Sequence, residues 1–165
     1  MSNQFFRSKG QGRSWASQKT PEQRTIDGIV FNSELEMISY KLICPLVDPE
    51  FLSLQPKFVL LPKFTIETRG IKENVRAKTW SADFMIGPRR TSDTDPVDDR
   101  HMVIDIKGMP TPQFVVTLKF FKWSYRHIPL IINPSSKARK RELVEMVYKH
   151  CEKHGYLSGS RITVD

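Results

Sequence analysis

The spacing of hydrophobic residues changes after residue 107, and this change constrains the fold more than any other feature. Hydrophobic residues alternate over 101–107, which predicts a strand. From Pro112 to Tyr125 they recur every three or four residues, which predicts a helix, and the apolar run 128–132 is typical of a short buried strand. A strand, a helix and a second strand in this order predict parallel pairing of the two strands, because parallel strands need such a crossover.

The rest of the chain adds elements on both sides of this unit. The predicted elements are a helix over 33–43, a strand over 57–67 interrupted by Pro62, a strand over 76–86, and a last helix that opens at Ser135–Ser136 and stops near Gly155. On the two strands, the apolar residues expected to share one face are Phe58, Leu60, Phe64 and Ile66 on the first, and Trp80, Ala82, Phe84 and Ile86 on the second. The predicted fold class is α/β, a mixed sheet with flanking helices.

A length of 165 residues suits one domain with short extensions. We expect a flexible basic arm over 1–27, a folded domain over 28–156 and a tail over 157–165. Residues 1–24 carry five Lys and Arg side chains against one acid, which favours either an arm that lies on nucleic-acid phosphates or a solubilising tail.

The overall charge favours a polyanionic partner. Lys and Arg number 26 and Asp and Glu 18, which gives a formal net charge of +8. Nucleic acid is the commonest partner of a basic domain of this size, although many proteins are basic without binding it. With two cysteines and no apolar run near the roughly 20 residues that span a bilayer, we expect an intracellular, cytoplasmic protein without a membrane partner.

Three acids and one lysine form the candidate catalytic group. Asp105 and Lys107 lie two residues apart on one predicted strand, so their side chains leave the same face. Asp83 lies on the preceding strand, and Glu36 on the first helix can reach the same place. Since neighbouring strands lie about 4.8 Å apart, Asp83 and Asp105 are predicted to share one cation.

Each of these residues also has a structural interpretation. Glu36 follows Ser33 by three residues, which is the spacing of a helix capping box. Asp105 and Lys107 can form the solvent-facing side of a half-exposed sheet. Asp83 is harder to explain in this way, because aspartate is depleted in strands.

This set of residues suits phosphodiester hydrolysis. Paired carboxylates hold Mg²⁺, with Mn²⁺ as a substitute, and the ion polarises the phosphate and lowers the pKa of a bound water. A nearby lysine either takes a proton from that water or stabilises the developing negative charge.

Four segments give the chain a family resemblance: FNSELE (31–36), LQPKF (54–58), SADF (81–84) and DIKG (105–108). With Glu36, Asp83 and Asp105-Ile106-Lys107, the chain resembles the PD-(D/E)XK nuclease superfamily, and within it the small phage Holliday-junction resolvases of the endonuclease I type. The resemblance covers roughly 28–132, with looser support to 156. Ala82 stands where the superfamily has proline.

The resemblance implies a restriction-endonuclease-like core of helix, three strands, helix and strand, followed here by a C-terminal helix. It implies that Asp83 and Asp105 are the main metal ligands, that Glu36 completes the acidic cluster, and that the carbonyl of Ile106 also faces the metal. Lys107 would be the catalytic lysine. The implied activity is Mg²⁺-dependent cleavage of DNA, with branched DNA such as four-way junctions as the substrate. Two symmetric cuts would require a homodimer.

Basic residues outside this group are candidates for DNA contact. They are Lys119, Lys122 and Arg126 on the helix after the catalytic strand, Lys137, Arg139 and Lys140 at the start of the last helix, and Arg13 in the arm. The first three equally suit an ordinary solvated helix face. The cluster at the last helix start opposes the helix dipole, so a compensating anion such as a DNA phosphate is plausible there.

Two other functions stay open. The same site suits a nickase, a restriction-type enzyme or the endonuclease subunit of a transposition complex. A non-catalytic DNA-binding module on a nuclease fold is the third possibility, although all three acids and the lysine are present.

Overall fold

The computed structural model describes residues 19–107, 110–133 and 137–159. Within them the fold is mixed α/β, with three α-helices, a four-stranded mixed sheet and smaller two-stranded sheets. The helices are α1 (Glu34–Ile43), α2 (Pro112–Ser124) and α3 (Lys137–His154). The strands are β1 (Thr25–Ile26), β2 (Ile29–Val30), β3 (Leu52–Leu54), β4 (Lys57–Leu61), β5 (Phe64–Thr68), β6 (Ile71–Val75), β7 (Lys78–Ser81), β8 (Phe84–Ile86), β9 (Met102–Ile106) and β10 (Leu130–Asn133). Short 3₁₀ turns span Glu22–Arg24 and Pro49–Phe51.

The four-stranded sheet has the order β10-β9-β8-β3. β3, β8 and β9 are antiparallel, whereas β10 is parallel to β9 with Ile131 opposite Ile104. The predicted parallel pairing across α2 is therefore confirmed. α2 begins as expected, with the Thr111 side chain accepting a hydrogen bond from the backbone N–H of Phe114 and Pro112 in the first turn.

The core lies on both faces of this sheet. One face carries Phe84, Met102 and Ile104, which pack with residues of α1 and α3. The opposite face carries Met85 and Val103, which pack with Phe58, Leu60 and Phe121 from β4 and α2. Leu143, Val147 and Cys151 of α3 recur every four residues and are all buried, so they form the apolar stripe of that helix. Gly155 ends that helix with a positive φ of 74°.

A long two-stranded ribbon replaces the two single strands that the sequence predicts over 57–67 and 76–86. β4 pairs with β7, and after a break at Pro62 β5 pairs with β6. β5 is exposed along its whole length, so the expectation that Phe64 and Ile66 share the buried face of Phe58 and Leu60 is wrong. The break at Pro62 sends the chain out of the core, since proline cannot donate a ladder hydrogen bond.

The second predicted strand is also divided. β7 ends at Ser81 and β8 begins at Phe84, so the alternation changes phase at Ala82–Asp83. Ala82 packs in one core cluster with Trp80 against it, whereas Phe84 belongs to the other, so these residues do not share one face as expected. The sequence analysis also missed β3 and the hairpin of β1 and β2.

Both predicted domain boundaries fall within paired segments. Ile26 and Ile29, on either side of the expected boundary at 27/28, belong to the β1–β2 hairpin and pack against the core. At the other end, Leu157 pairs with Val47. Among the described residues, no helix is long and apolar enough to cross a membrane.

Candidate active site

The chain changes sheets at Asp83, and this change places its carboxylate beside β9. β7 pairs with β4, whereas β8 pairs with β3 and β9. The transition is held by hydrogen bonds from the backbone N–H of Ala82 to the Pro56 carbonyl and from that of Gln55 to the Asp83 carbonyl. Asp83 Oδ2 accepts a hydrogen bond of 2.5 Å from the backbone N–H of Ile106. The predicted approach of Asp83 to the strand of Asp105 is therefore present.

Asp105 is completely buried. It lies on the face of β9 opposite the Met102 and Ile104 side chains and has 0% relative exposure. The solvent-facing interpretation of Asp105 is therefore wrong. Lys107, which is one-third exposed, places Nζ 3.2 Å from Asp105 Oδ2. Neither carboxylate oxygen of Asp105 accepts a hydrogen bond from the described residues. A buried carboxylate with a single cation as its partner is costly for folding.

Burial changes the ionisation of both aspartates. It raises the pKa of Asp83 to about 6; the Ile106 N–H and Lys107 oppose this rise, whereas the carboxylates of Asp105 and Glu36 add to it. Burial also raises the pKa of Asp105; the Lys107 ammonium group opposes this rise, and the Glu36 carboxylate adds to it. All four residues therefore act on one another electrostatically. We call Glu36, Asp83, Asp105 and Lys107 the acid–lysine site.

Glu36 fulfils the capping interpretation as well. The Ser33 side chain accepts a hydrogen bond from the backbone N–H of Glu36, and the Glu36 carboxylate accepts from the Asn32 N–H and the Ser33 hydroxyl at 3.2 and 3.0 Å. These are the reciprocal bonds of a capping box, except that the carboxylate accepts from the backbone N–H of Asn32 instead of that of the N-cap residue Ser33. Because Glu36 is only 8% exposed, its carboxylate is held at the buried end of α1.

The oxygen atoms of this site suit a hard divalent cation in type but form a small ligand set. Asp83 and Asp105 offer carboxylate oxygens; Asp105 Oδ1 has no hydrogen-bond partner among the described residues, and Oδ2 lies 3.2 Å from the Lys107 ammonium group. Among the described residues, no group of three or more His, Cys, Asp or Glu side chains is arranged to hold a metal ion. Glu36, which the resemblance adds to the ligand set, is engaged in the cap instead.

Phe114 borders the site and was not identified from the sequence. Lys107 Nζ lies 5.4 Å from the centre of the Phe114 ring, within cation–π range. Phe114 is in the first turn of α2, which is the next element after β9. The sequence places Phe114 among the hydrophobic residues that recur from Pro112 to Tyr125. No spacing rule distinguishes a residue that contacts a lysine from one that packs in the core.

A cavity of about 190 Å³ opens beside two of the acids. Its walls include Glu36, Asp83, Leu54 and Gln55. Gln55 has a positive φ of 48°, which L residues other than Asn and Asp seldom adopt, and this conformation lets the chain pass from β3 to β4. The cavity therefore borders the acid–lysine site on the side of Glu36 and Asp83.

The predicted DNA-binding residues fall into three sets. Lys119, Lys122 and Arg126 are exposed on α2 and the turn after it, and Arg126 lies 5.9 Å from the ring of the exposed Trp123. Arg139 is exposed and Lys140 half-buried in the first turn of α3, which begins at Lys137. Arg13 and the Lys137 side chain lie outside the described residues. In the described part, no hydrogen bond or ion pair joins these cations to the acid–lysine site.

The carboxylates of the acidic loop 92–99 stabilise the loop by hydrogen bonds and ion pairs to nearby residues. Asp95 accepts hydrogen bonds from Thr91 and Ser92, and these bonds lower its pKa. Asp98 forms an ion pair of 2.7 Å with Arg100, and the hydrogen bond from Arg100 is the main cause of the lowered pKa of Asp98. Asp98 is also hydrogen-bonded to the ring of the buried His101. These acids organise the approach to β9 and do not extend the acid–lysine site.

Comparison with known proteins gives one match. A family model described as "Protein of unknown function (DUF1064)" matches residues 16–140, which includes the whole acid–lysine site. No curated protein and no solved structure matches the chain. The match spans about three quarters of the sequence, and the chain therefore belongs to the DUF1064 family.

Proposed function

We propose that this protein is a Mg²⁺-dependent DNA endonuclease that hydrolyses phosphodiester bonds at the acid–lysine site. The observation that supports this most is Asp105, a fully buried carboxylate whose oxygens accept no hydrogen bond from the described residues and whose one close partner is Lys107. Folded proteins have a small stability margin, so a group that lowers it is expected to have a function. The net charge of +8 agrees with a nucleic-acid substrate.

The order of elements supports a PD-(D/E)XK fold as part of this proposal. Glu36 lies on α1, Asp83 immediately before β8, and Asp105 on β9. α2 then crosses to β10, which is parallel to β9. This is the helix, strand and crossover order that the resemblance implies, although the strands before β8 are more numerous than it predicts.

In the proposed mechanism Asp83 and Asp105 would hold the divalent ion, together with the carbonyl of Ile106. When bound, Mg²⁺ or Mn²⁺ would supply an acidified water and would neutralise charge on the phosphoryl oxygens. Asp83 is oriented for this role by the Ile106 N–H. Glu36 adds negative charge at the site and is fixed in place by the α1 cap.

Lys107 stabilises the negative charge that develops on the phosphate during attack. Its ammonium group lies between the Asp105 carboxylate and the Phe114 ring, at 3.2 and 5.4 Å. These two contacts limit the positions that Nζ can take, so the charge is already in place before the substrate binds. The half-buried position of Lys107 reduces its screening by water.

The finer proposal is that the substrate is branched DNA, such as a four-way junction, and that the enzyme is a homodimer. Resolving a junction needs two symmetric cuts, and a twofold dimer supplies two identical sites. This part depends on the resemblance to phage resolvases. The exposed Lys119, Lys122 and Arg126 of the α2 surface would contact phosphates near the cut.

The test is cleavage of a labelled four-way junction beside a matched linear duplex, with Mg²⁺ or with EDTA, by the wild type and Asp105→Asn. The variant keeps the shape of the side chain and removes its buried charge. We expect it to cut at least about 100-fold more slowly, as losses of transition-state stabilisation do, and to melt at an equal or higher temperature. Mg²⁺ or Mn²⁺ should raise the melting temperature of the wild type and not of the variant.

The outcomes separate the candidate functions. Metal-dependent cutting that prefers the junction supports the full proposal, and light scattering should then show a dimer. Equal cutting of both substrates keeps the nuclease and favours a nickase, a restriction-type enzyme or a transposition endonuclease. Tight binding without cutting of either substrate, and without a metal-dependent melting shift, contradicts the proposed hydrolysis and favours a DNA-binding module.

A further inference from the structure

A β-hairpin extends from the core without a visible structural role. We call residues 64–75, which comprise β5, β6 and the turn between them, the β-arm. β5 and β6 pair in regular antiparallel register from Phe64 opposite Val75 to Thr68 opposite Ile71. Among the described residues, neither core cluster includes any part of the β-arm. A two-stranded hairpin alone is marginally stable in water, so a partner is expected to cover it.

The two faces of the β-arm differ in chemistry. Residues that lie opposite each other in an antiparallel pair share a face, and successive residues alternate. One face therefore carries Phe64, Ile66 and Ile71, which are 42%, 40% and 73% exposed, together with Val75, Thr68 and the charged Glu73 opposite Ile66. The other face carries Thr65 bonded to Asn74, and Glu67 paired with Lys72 at 3.9 Å. The apolar face has no partner in the described part of the chain.

The tip of the β-arm contains an arginine in an unfavourable backbone conformation. The two-residue turn is Arg69-Gly70, with φ of 52° and 78°. Turns with two positive φ values prefer Asn or Asp followed by Gly, because a larger side chain crowds the backbone there. Since asparagine would form this turn at lower cost, the arginine is expected to serve through its charge.

The base of the β-arm is basic, whereas residues 64–75 themselves carry equal numbers of cations and acids. From residue 63 to 78 the chain has five cations, Lys63, Arg69, Lys72, Arg76 and Lys78, against the two acids Glu67 and Glu73. A cavity of about 500 Å³ at the base is lined by Lys63, Phe64 and Arg76 among others. Two cations beside an exposed aromatic ring suit a phosphate and its neighbouring sugar or base. The excess of three positive charges at the base favours a polyanionic partner over a second copy of the same base.

We propose that the β-arm is a DNA-binding element that lies in a groove of duplex DNA, with Arg69 at the tip contacting a backbone phosphate and Ile71 against the base edges. The major groove of B-DNA admits a two-stranded β-ribbon. Lys63 and Arg76 then contact the backbone phosphates beside the groove. This inference rests on the proposed function only in taking DNA as the substrate, because binding by the arm does not require hydrolysis.

The test measures binding of the full-length protein to a labelled duplex by fluorescence anisotropy in EDTA, where cleavage is not needed, over a range of salt concentrations. The variants are Arg69→Gly, Ile71→Ser and both together. Arg69→Gly removes the charge and relieves the backbone, so we expect weaker binding with an equal or higher melting temperature. Its log K against log salt slope should fall by about 0.9, the value for one lost phosphate contact. Each single variant should bind about tenfold more weakly and the double variant up to about 100-fold more weakly, since the costs of separate contacts to DNA roughly add as free energies.

Lys41→Gln is the matched control. Lys41 is an exposed cation on α1, which packs against α3 and β9, so its removal should leave affinity near that of the wild type. Wild-type affinity and salt slope in both arm variants would overturn the inference. Light scattering that shows a dimer in the wild type and a monomer in the arm variants would also overturn it, because the arm would then bind protein.

The same experiment distinguishes this inference from the proposed nuclease. If the wild type does not cut DNA but the arm variants bind it more weakly, the β-arm inference holds and the proposed hydrolysis fails. If Asp105→Asn abolishes cutting and the arm variants bind like the wild type, the nuclease holds and the arm inference fails.

Discussion

Glu36 is the residue where stability and chemistry overlap most closely. Its carboxylate accepts hydrogen bonds from Asn32 and Ser33, which complete the N-terminal cap of α1. The same carboxylate is close enough to Asp83 and Asp105 to raise their pKa values. One side chain therefore holds the start of a helix and brings negative charge to the acid–lysine site, so loss of Glu36 alone would not separate the two roles.

A pair of substitutions at this position separates them. Ser33→Ala removes the cap hydroxyl and keeps the carboxylate, so it should lower the free energy of unfolding by about 1 kcal/mol. Glu36→Gln removes the charge, keeps one oxygen that accepts from the Asn32 N–H, and places its NH2 group where it donates to the Ser33 hydroxyl, so it should slow DNA cleavage and cost less stability than Ser33→Ala. Urea unfolding and single-turnover cleavage of both variants provide the comparison. Cleavage at the wild-type rate by Glu36→Gln would assign this residue to the cap alone.

At the scale of elements, regular spacing was predictable and breaks in it were not. The crossover from β9 through α2 to β10 follows from the change of hydrophobic spacing and is confirmed by the parallel register. The division of the strand predicted over 76–86 does not follow, because apolar alternation continues in the sequence through the point where the chain changes sheets. That change depends on hydrogen bonds to the distant Gln55–Pro56 segment, which a local pattern does not report.

The candidate site was predictable to a similar extent. The sequence placed Asp83, Asp105 and Lys107 on neighbouring strands, and the register of β8 and β9 brings them together. It did not indicate that Asp105 is fully buried, because alternation distinguishes the two faces of a strand but not whether both are covered. Here the second face is covered by α2 and β4, which pack against β9 only when the chain has folded.

Helix α3 carries a histidine that makes stability depend on pH. His150 is buried, and its Nε2–H donates to the carbonyl of Arg100 at 3.0 Å. Burial lowers the pKa of His150, and the nearby cationic or titrating groups His154, Lys153 and His101 act in the same direction. Below the unfolded pKa of about 6.5 the unfolded chain binds the proton more readily than the folded one. The free energy of unfolding is therefore not reduced by His150 above that pH, and it decreases as the pH falls below it.

The measurement is urea unfolding from pH 7.5 to pH 5 of the wild type and His150→Gln, which keeps an N–H donor for Arg100 and does not titrate. Both proteins share every other titrating group, so their difference isolates His150. The wild type should lose more stability than the variant over this range. Parallel stability curves would show that His150 ionises equally in the folded and unfolded chain.

At the scale of the whole molecule, positive charge is spread over several separate regions. Exposed cations lie on α2, in the first turn of α3 and along the β-arm, and further ones occur before residue 19. Seven of the 18 acids lie in the acid–lysine site and in the loop 92–99, whose aspartates bond to their own loop and its neighbours, and the other acids are scattered along the chain. A basic surface around a buried acidic site would attract a polyanion and still leave the carboxylates free for a metal.

The contribution of the N-terminal cations can be separated from the rest of this surface. Residues 1–18 contain three cations, Arg7, Lys9 and Arg13, and no acid. Replacing all three with glutamine keeps the chain length, and it preserves the described Lys19–Glu34 ion pair of 2.6 Å. If these cations lie on DNA phosphates, the slope of log K against log salt should fall by as much as about 2.7, at 0.9 for each contact.

The control is the triple replacement Lys41, Lys149 and Lys153→Gln, which removes the same charge from the exposed faces of α1 and α3. An unchanged slope in the N-terminal variant would assign these cations to solubility, whereas equal decreases in both variants would indicate a general effect of net charge.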